Sequence, residues 1–475
     1  MATHTTLASL FTDIADSIRA KTGKTDNIVA DDFPEEIAGI TTGGSTVALS
    51  DINFYDYDGT LVDSWTLEEL ATATALPANP SHTGLTAQGW NWTLADLKTT
   101  NRAMDVGQMY ITDDGKTRLY ITIAAPGRMT VPLYIQQTVA NGVTIDWGDG
   151  SATETLAGTG NVNTTHTYAD IGSYMITLTP ASGCELGFGN GTDSYCVLGS
   201  TGNNGKVYCN MLQKVEIGSG VTSIGGYAFQ SCYSLSSITI PDGVTGISDK
   251  AFNECYSLSS ITIPDGVTSI SDEAFNECHS LSSITIPDGV TSIGIYAFYY
   301  CYSLSSITIP DSVTIISGSA FNECYSLSSI TIPDSVTSIS GYTFFRCYSL
   351  SSITIPDTVT SIGGSAFQSC YSLSSITIPD TVTSIGSSAF QSCYSLSSIT
   401  IPDGVTNIDA YTFSNCYGMA EYHLKPTTPP TLSNTNAFNN IPSDCIIYVP
   451  AGCLSAYQTA TNWSTYASYM QEEPA

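Results

Sequence analysis

Nine phenylalanines recur every 23 residues, at positions 229, 252, 275, 298, 321, 344, 367, 390 and 413, and a cysteine follows each three residues later. No other feature constrains this chain as much. A unit of that length cannot bury an apolar face alone, so successive units must stack and share one core. The product is a solenoid, and its long flank and few enclosed clefts favour binding over catalysis.

Within a unit, Ile238 and Ile240 alternate around Thr239, the mark of a short strand with one buried face. Pro241-Asp242-Gly243 then turns the chain, Val244 and Ile247 give a second apolar edge, and Leu235 returns inward. Ala228, Phe229 and Cys232 fit one helical or 3₁₀ turn. With strands spaced ~4.8 Å, nine coils over 215–423 predict a rod of roughly 40 to 45 Å.

The chain has 14 cysteines, of which nine belong to the repeat. Side chains stacked in parallel do not aim their Cβ vectors at one another, so a ladder of buried thiols acting as small apolar fillers is expected. No His or second Cys repeats beside them, so no metal site and no cofactor is expected. Cys445 and Cys453, bracketing CIIYVPAGC, leave a pairing across a turn open.

Thirteen Lys and Arg against 43 Asp and Glu give a formal charge of −30, a field that repels nucleic acid and anionic lipid. No apolar run reaches the ~18 residues that would span a bilayer. The opening MATHTTLASLFTDIADSIRAK lacks a basic leader, apolar core and small-residue cleavage site, so an ordinary secretory route is not expected. Only 12% of residues are charged; polarity comes from Ser, Thr, Asn and Tyr, which suits neutral partners, sugars among them.

The fold class expected is mainly β with short helices. Residues 1–42 read as a helical attachment segment, with Leu7, Leu10, Phe11, Ile14 and Ile18 on one stripe. Residues 48–115 read as a small mixed module with a helix from Leu67 to Ala73. Residues 116–180 alternate as half-buried strands, 181–214 lead into the solenoid, and 424–475 close it as a cap with a polar outer face.

The strand Ser-x-Ile-x-Ile-Pro followed by Val-x-x-Ile, Ala-Phe and Cys closely resembles the BspA-type leucine-rich repeat, a class found in surface proteins of bacteria and protists and in phage-encoded proteins. IDWGDGS (145–151) with HTYADIGSYMITLT (166–179) resembles the Ig-like sandwich module called PKD, which implies a spacer or binding domain and a structural role for His166. The leader TTLASLFTDIADSIRAKTGKTDNIVADDFPEEIAGI resembles the amino-terminal segment of tail-associated proteins from phages and prophages of gut Firmicutes.

DYDGTLVDS (56–64) matches the first motif of haloacid-dehalogenase phosphatases, which would make Asp56 the nucleophile and Asp58 the acid/base. That chemistry needs a doubly wound sheet, and no βαβ series follows, so the string is read as a β-turn. The histidines (4, 82, 166, 279 and 423) are scattered and support no triad. No catalytic residues are assigned.

Interior positions hardly change between coils, whereas the pair after each invariant Ile and the pair before each Cys vary as an outer face. Tyr296, Tyr299, Tyr300, Tyr342, Phe345, Arg346 and Tyr411 fall there and form the candidate ligand-binding set. The reading is a non-enzymatic phage or prophage tail-associated protein that contacts a host cell-surface protein or glycan, held to the virion by its N-terminal helix. The alternative is a bacterial cell-surface adhesin. A homo-oligomer is open by analogy with phage fibres.

Overall fold

The computed structural model describes residues 52–55, 61–73, 75–78, 85–90, 94–99, 104–112, 114–189, 195–200 and 206–474, in two compact units. The expected helix over 1–42 and the aspartates 56 and 58 lie outside the described residues.

In the first unit, strands β1 (Ile52–Tyr55), β2 (Leu61–Trp65), β3 (Leu85–Trp90) and β4 (Met104–Thr112) form one sheet in the order β2-β1-β4-β3, with helices α1 (Leu67–Thr72) and α2 (Leu94–Thr99). Thr66 starts α1 through a capping box with Glu69, satisfying two otherwise orphaned amides. Ile52, Phe54, Leu70 and Leu97 make the core. β1 leads into the antiparallel β2, not into a crossover helix, so this sheet is not the doubly wound scaffold that aspartyl phosphatase chemistry requires.

The second unit begins with two sheets sharing one core. One contains β5 (Thr117–Ile123), β7 (Val143–Asp146), β8 (Glu154–Thr155) and β10 (Gly172–Pro180); the other contains β6 (Thr130–Gln137), β9 (Gly160–Thr167) and β11 (Leu186–Gly187). β5 alternates buried and half-buried, sending Leu119, Ile121 and Ile123 inward. In the Trp147-Gly148-Asp149-Gly150 turn, Gly148 has φ +76°, and a Cβ there would stand 2.4 Å from the Met175 carbonyl oxygen. Trp147 stacks on His166 at 4.7 Å, and the Tyr168 hydroxyl donates to the Trp147 carbonyl. His166 Nε2 lies 2.7 Å from Asp149. The Ser151 hydrogen bond, followed by His166, lowers the Asp149 carboxyl to about 2.

The join to the solenoid is made by pairing. β14 (Leu212–Glu216), which follows the short β12 (Tyr195–Cys196), β13 (Gly199–Ser200) and helix α3 (Lys206–Cys209), runs antiparallel to β5 and parallel to Ser237–Thr239 of the first coil. One sheet therefore passes from the two-sheet module into the repeats. Phe188 and Val197, in the segment expected as a connector, pack on the first coil. Phe188 pairs with Ile224 and packs its ring 5.8 Å from Phe229, and the Val197 amide donates to the Ala228 carbonyl.

Each coil then repeats two parallel rungs at a 23-residue offset. One rung series runs Ile224, Ile247, Ile270, Ile293, Ile316 and the other begins Val215, Ile238. The C-terminal segment extends the second series: Ile399 pairs with Tyr422, Tyr422 with Ile447, and Ile447 with Met470. The solenoid thus has about 11 turns. Trp463 and Tyr457, both fully buried, lie beside the last coils, and their ring N–H and O–H donate to the carbonyls of Pro430 and Pro426.

Candidate interaction surface

The coil's outer face follows from its backbone. Two positions per coil, from Tyr227 and Ser231 to Tyr411 and Asn415, take left-handed φ values of 54–64° although none is glycine. The conformation costs ~1 kcal/mol or more per residue. It lets the amide reach the next coil: Tyr227 donates to Asp249 and Tyr300 to Asn322. These positions are the second members of the variable pairs.

The first members of the pairs before each cysteine correct the expectation of an outer face. Gln230, Asn253, Asn276 and Asn322 are at most 9% exposed, and their side-chain oxygens are buried with no hydrogen-bond partner. In coil four this inward position holds Tyr299, and in coil six Phe345, rings too large for it that come out half-buried.

The thiols are fillers with one added role. Each ladder cysteine from Cys255 to Cys416 donates to the phenylalanine carbonyl of the previous coil, for example Cys301 to Phe275 at 3.2 Å. Burial raises all of them well above the ordinary thiol range. Cys445 and Cys453 are unpaired, whereas Cys196 and Cys209 form a disulfide that no sequence period announced.

Beside the thiols runs a stack of nine rings: Tyr233, Tyr256, His279, Tyr302, Tyr325, Tyr348, Tyr371, Tyr394 and Tyr417. Its first seven steps measure 4.4–4.8 Å. The inner rings are covered on both faces by their neighbours, whereas Tyr394 and Tyr417 at the far end are 41% and 57% exposed. Carboxylates line it: Tyr233 donates to Glu254, Tyr256 to Glu277, and Tyr325 to Glu323.

The structure divides the candidate residues into three groups. In coil four, Tyr296, Tyr299 and Tyr300 form a belt with centroid steps of 5.1 and 3.9 Å that joins the stack at Tyr302. Burial, followed by the Tyr300 hydroxyl, raises the Tyr299 phenol. In coil six, Tyr342 meets Phe345 edge-on, Arg346 lies over Phe345, and the Arg346 guanidinium donates to the buried Glu323 at 2.8 Å. Tyr411 stands apart in coil nine, hydrogen-bonded to Asn436; Ser365 and Ser388 occupy its position in the two coils before. Ile295 of coil four and Ile315 of coil five are also exposed, at 45% and 57%. Their sequence signal is a departure from consensus, since other coils place Gly, Asp, Ser or Ala at the first position and Gly, Ser or Asn at the second.

No curated protein matches the chain. Among solved structures, it is similar to a leucine-rich repeat protein from Bacteroides ovatus (23% identity, TM-score 0.34, covering 65% of this chain and 90% of that one). A leucine-rich cell surface protein from Faecalibacterium prausnitzii is 28% identical, with TM-score 0.34 and 63% and 88% covered. The pneumococcal vaccine antigen PcpA is 19% identical, with TM-score 0.42 and 55% and 66% covered. The model of the BspA type leucine rich repeat region matches in six copies over residues 202–328 and 315–444, about half of the chain. With the parallel rungs at the same offset, that match settles the family: the chain belongs to the BspA-type leucine-rich-repeat proteins.

Proposed function

We propose that this chain is a non-enzymatic binding protein of the bacterial cell surface, an adhesin that meets a host protein or glycan across its solenoid flank. The observation that carries the reading is the coil-four belt. Tyr296, Tyr299 and Tyr300, preceded by exposed Ile295, stand where other coils carry mostly small or polar side chains. Clustered aromatics that keep polar tips are strong anchors for a partner. Tyr342, Phe345 and Arg346 extend the surface, and Tyr411 is its outlying member. The Cys196–Cys209 disulfide favours an oxidising location outside the cell. Among the described residues no helix is long and apolar enough to cross a membrane.

The narrower reading, a phage tail protein anchored to the virion by residues 1–42, rests on sequence resemblance, that of the leader first. Surface proteolysis of intact cells against co-purification with particles separates the two. For the binding surface, the full-length chain is tested on glycan arrays and immobilised matrix proteins beside Tyr296→Ala and Tyr300→Ala. Each variant should bind at least ~10-fold more weakly. Unchanged affinity in both would move the contact off this flank.

A further inference from the structure

A second site lies where the two-sheet module joins the repeats, and it stands independently of the flank. The Sγ atoms of Cys196, Cys209 and Cys232 all lie within 4.8 Å of one another, and all three residues are at most 1% exposed. Three parts of the fold bring them together: β12 carries Cys196, α3 ends at Cys209, and Cys232 opens the thiol ladder of the coils.

Cys232 differs from the rest of the ladder. Thiols from Cys255 to Cys416 each donate to the phenylalanine carbonyl of the previous coil. For Cys232 no phenylalanine stands 26 residues earlier to offer that carbonyl, and among the described residues its buried thiol makes no hydrogen bond; its Sγ lies within 4.8 Å of those of Cys196 and Cys209. A fully buried thiol beside two further sulfurs is a soft donor set. By contrast, no other group of three His, Cys, Asp or Glu among the described residues brings its ligand atoms so close.

We propose that Cys196, Cys209 and Cys232 form a thiolate site for one thiophilic divalent d¹⁰ cation when the Cys196–Cys209 bridge is reduced. Reduction by a phosphine or dithiol opens that S–S bond, adding two electrons and two protons to give two thiols. The cation then displaces one proton from each of the three thiols and is held by three thiolate sulfurs. Metal–sulfur bonds of ~2.3 Å suit sulfurs already gathered this closely. A divalent ion leaves one net negative charge in this apolar setting and a monovalent ion leaves two, so the divalent ion is favoured. Because protons are released, binding weakens as pH falls.

The test uses the full-length protein, reduced with a phosphine, freed of reductant and titrated anaerobically with Cd²⁺. Thiolate-to-metal charge-transfer absorption should grow and saturate at a single equivalent, and Zn²⁺ should compete. Cys232→Ser should abolish the saturating phase, whereas Cys255→Ser, one coil along, should keep it. Should Cys232→Ser fail to fold, the double variant Cys196→Ser/Cys209→Ser takes its place and should also lose the phase. No saturable equivalent in the reduced wild type overturns the site, as does undiminished binding by Cys232→Ser or by the double variant. Equal binding to the unreduced protein overturns it too, because two of the three sulfurs are then bonded to each other.

Discussion

Two aromatic ladders run the length of the repeats with the same period, and they obey different rules. Phenylalanine rings from Phe229 to Phe413 stack 5.4–5.8 Å apart, within 12° of parallel, and are at most 1% exposed. The ladder that starts at Tyr233 stacks more closely over its first seven steps, stays half-buried over most of its length, and opens at Tyr394 and Tyr417, which are 41% and 57% exposed. The inner ladder admits one residue type at all nine positions. The outer one accepts His279 in place of Tyr, with rings 4.4 Å and 4.6 Å away on its two sides. Periodicity alone enforces stacking; burial decides how strictly each rung is specified, since a closed core has no solvent to absorb a misfit.

The strongest way to break the contrast is alkali, because the thiols next to the inner ladder titrate as a set. Burial holds them protonated in the folded state, while an unfolded thiol ionises near ~8.5. Folded chains therefore keep protons that unfolded chains have lost. Stability is full below about pH 8.5 and falls above it, by ~1.4 kcal/mol per pH unit for each thiol. Guanidinium unfolding midpoints between about pH 8 and pH 10.5 should drop steeply. A flat profile would mean that the thiols are not sealed in.

Next in size is Phe298→Ala, which removes a ring packed 5.6 Å from Phe275 and 5.4 Å from Phe321. It should cost about 3–5 kcal/mol in the same unfolding experiment. A loss under ~1 kcal/mol would show that neighbouring coils close the gap and that the inner ladder is no stricter than the outer.

The smallest effect sharpens the outer side. Tyr325→Phe keeps the stacked ring and removes only the donor to Glu323, leaving Arg346 to hold that buried carboxylate. The expected loss is about 1–2 kcal/mol. In a double-mutant cycle it should be coupled to Arg346→Ala, since both side chains serve one carboxylate. Strict additivity would separate the tyrosine edge from the flank beyond it.

What could be read directly from the sequence was whatever recurs. The 23-residue period placed the strands, the Pro-Asp turns, the buried Phe, Cys and Leu, and the family. Departures from that period marked Tyr296, Tyr299, Tyr300, Tyr342, Phe345, Arg346 and Tyr411, and would have marked Ile295 and Ile315 had apolar departures been weighed with aromatic ones. The inward turn of Gln230, Asn253 and Asn276 was hidden, because a polar amide beside a variable residue reads as surface.

Contacts that happen once were left to the tertiary structure. Leu119 of β5 pairs with Val215 of β14 across a long stretch of chain, and Cys196, Cys209 and Cys232 converge from a strand, a helix and a coil. A stacking repeat announces its neighbours because each rung is offset by a constant number of residues. A junction has no such offset: its partners are selected only when the first coil's exposed edge has to be covered, and that need exists in the folded chain alone.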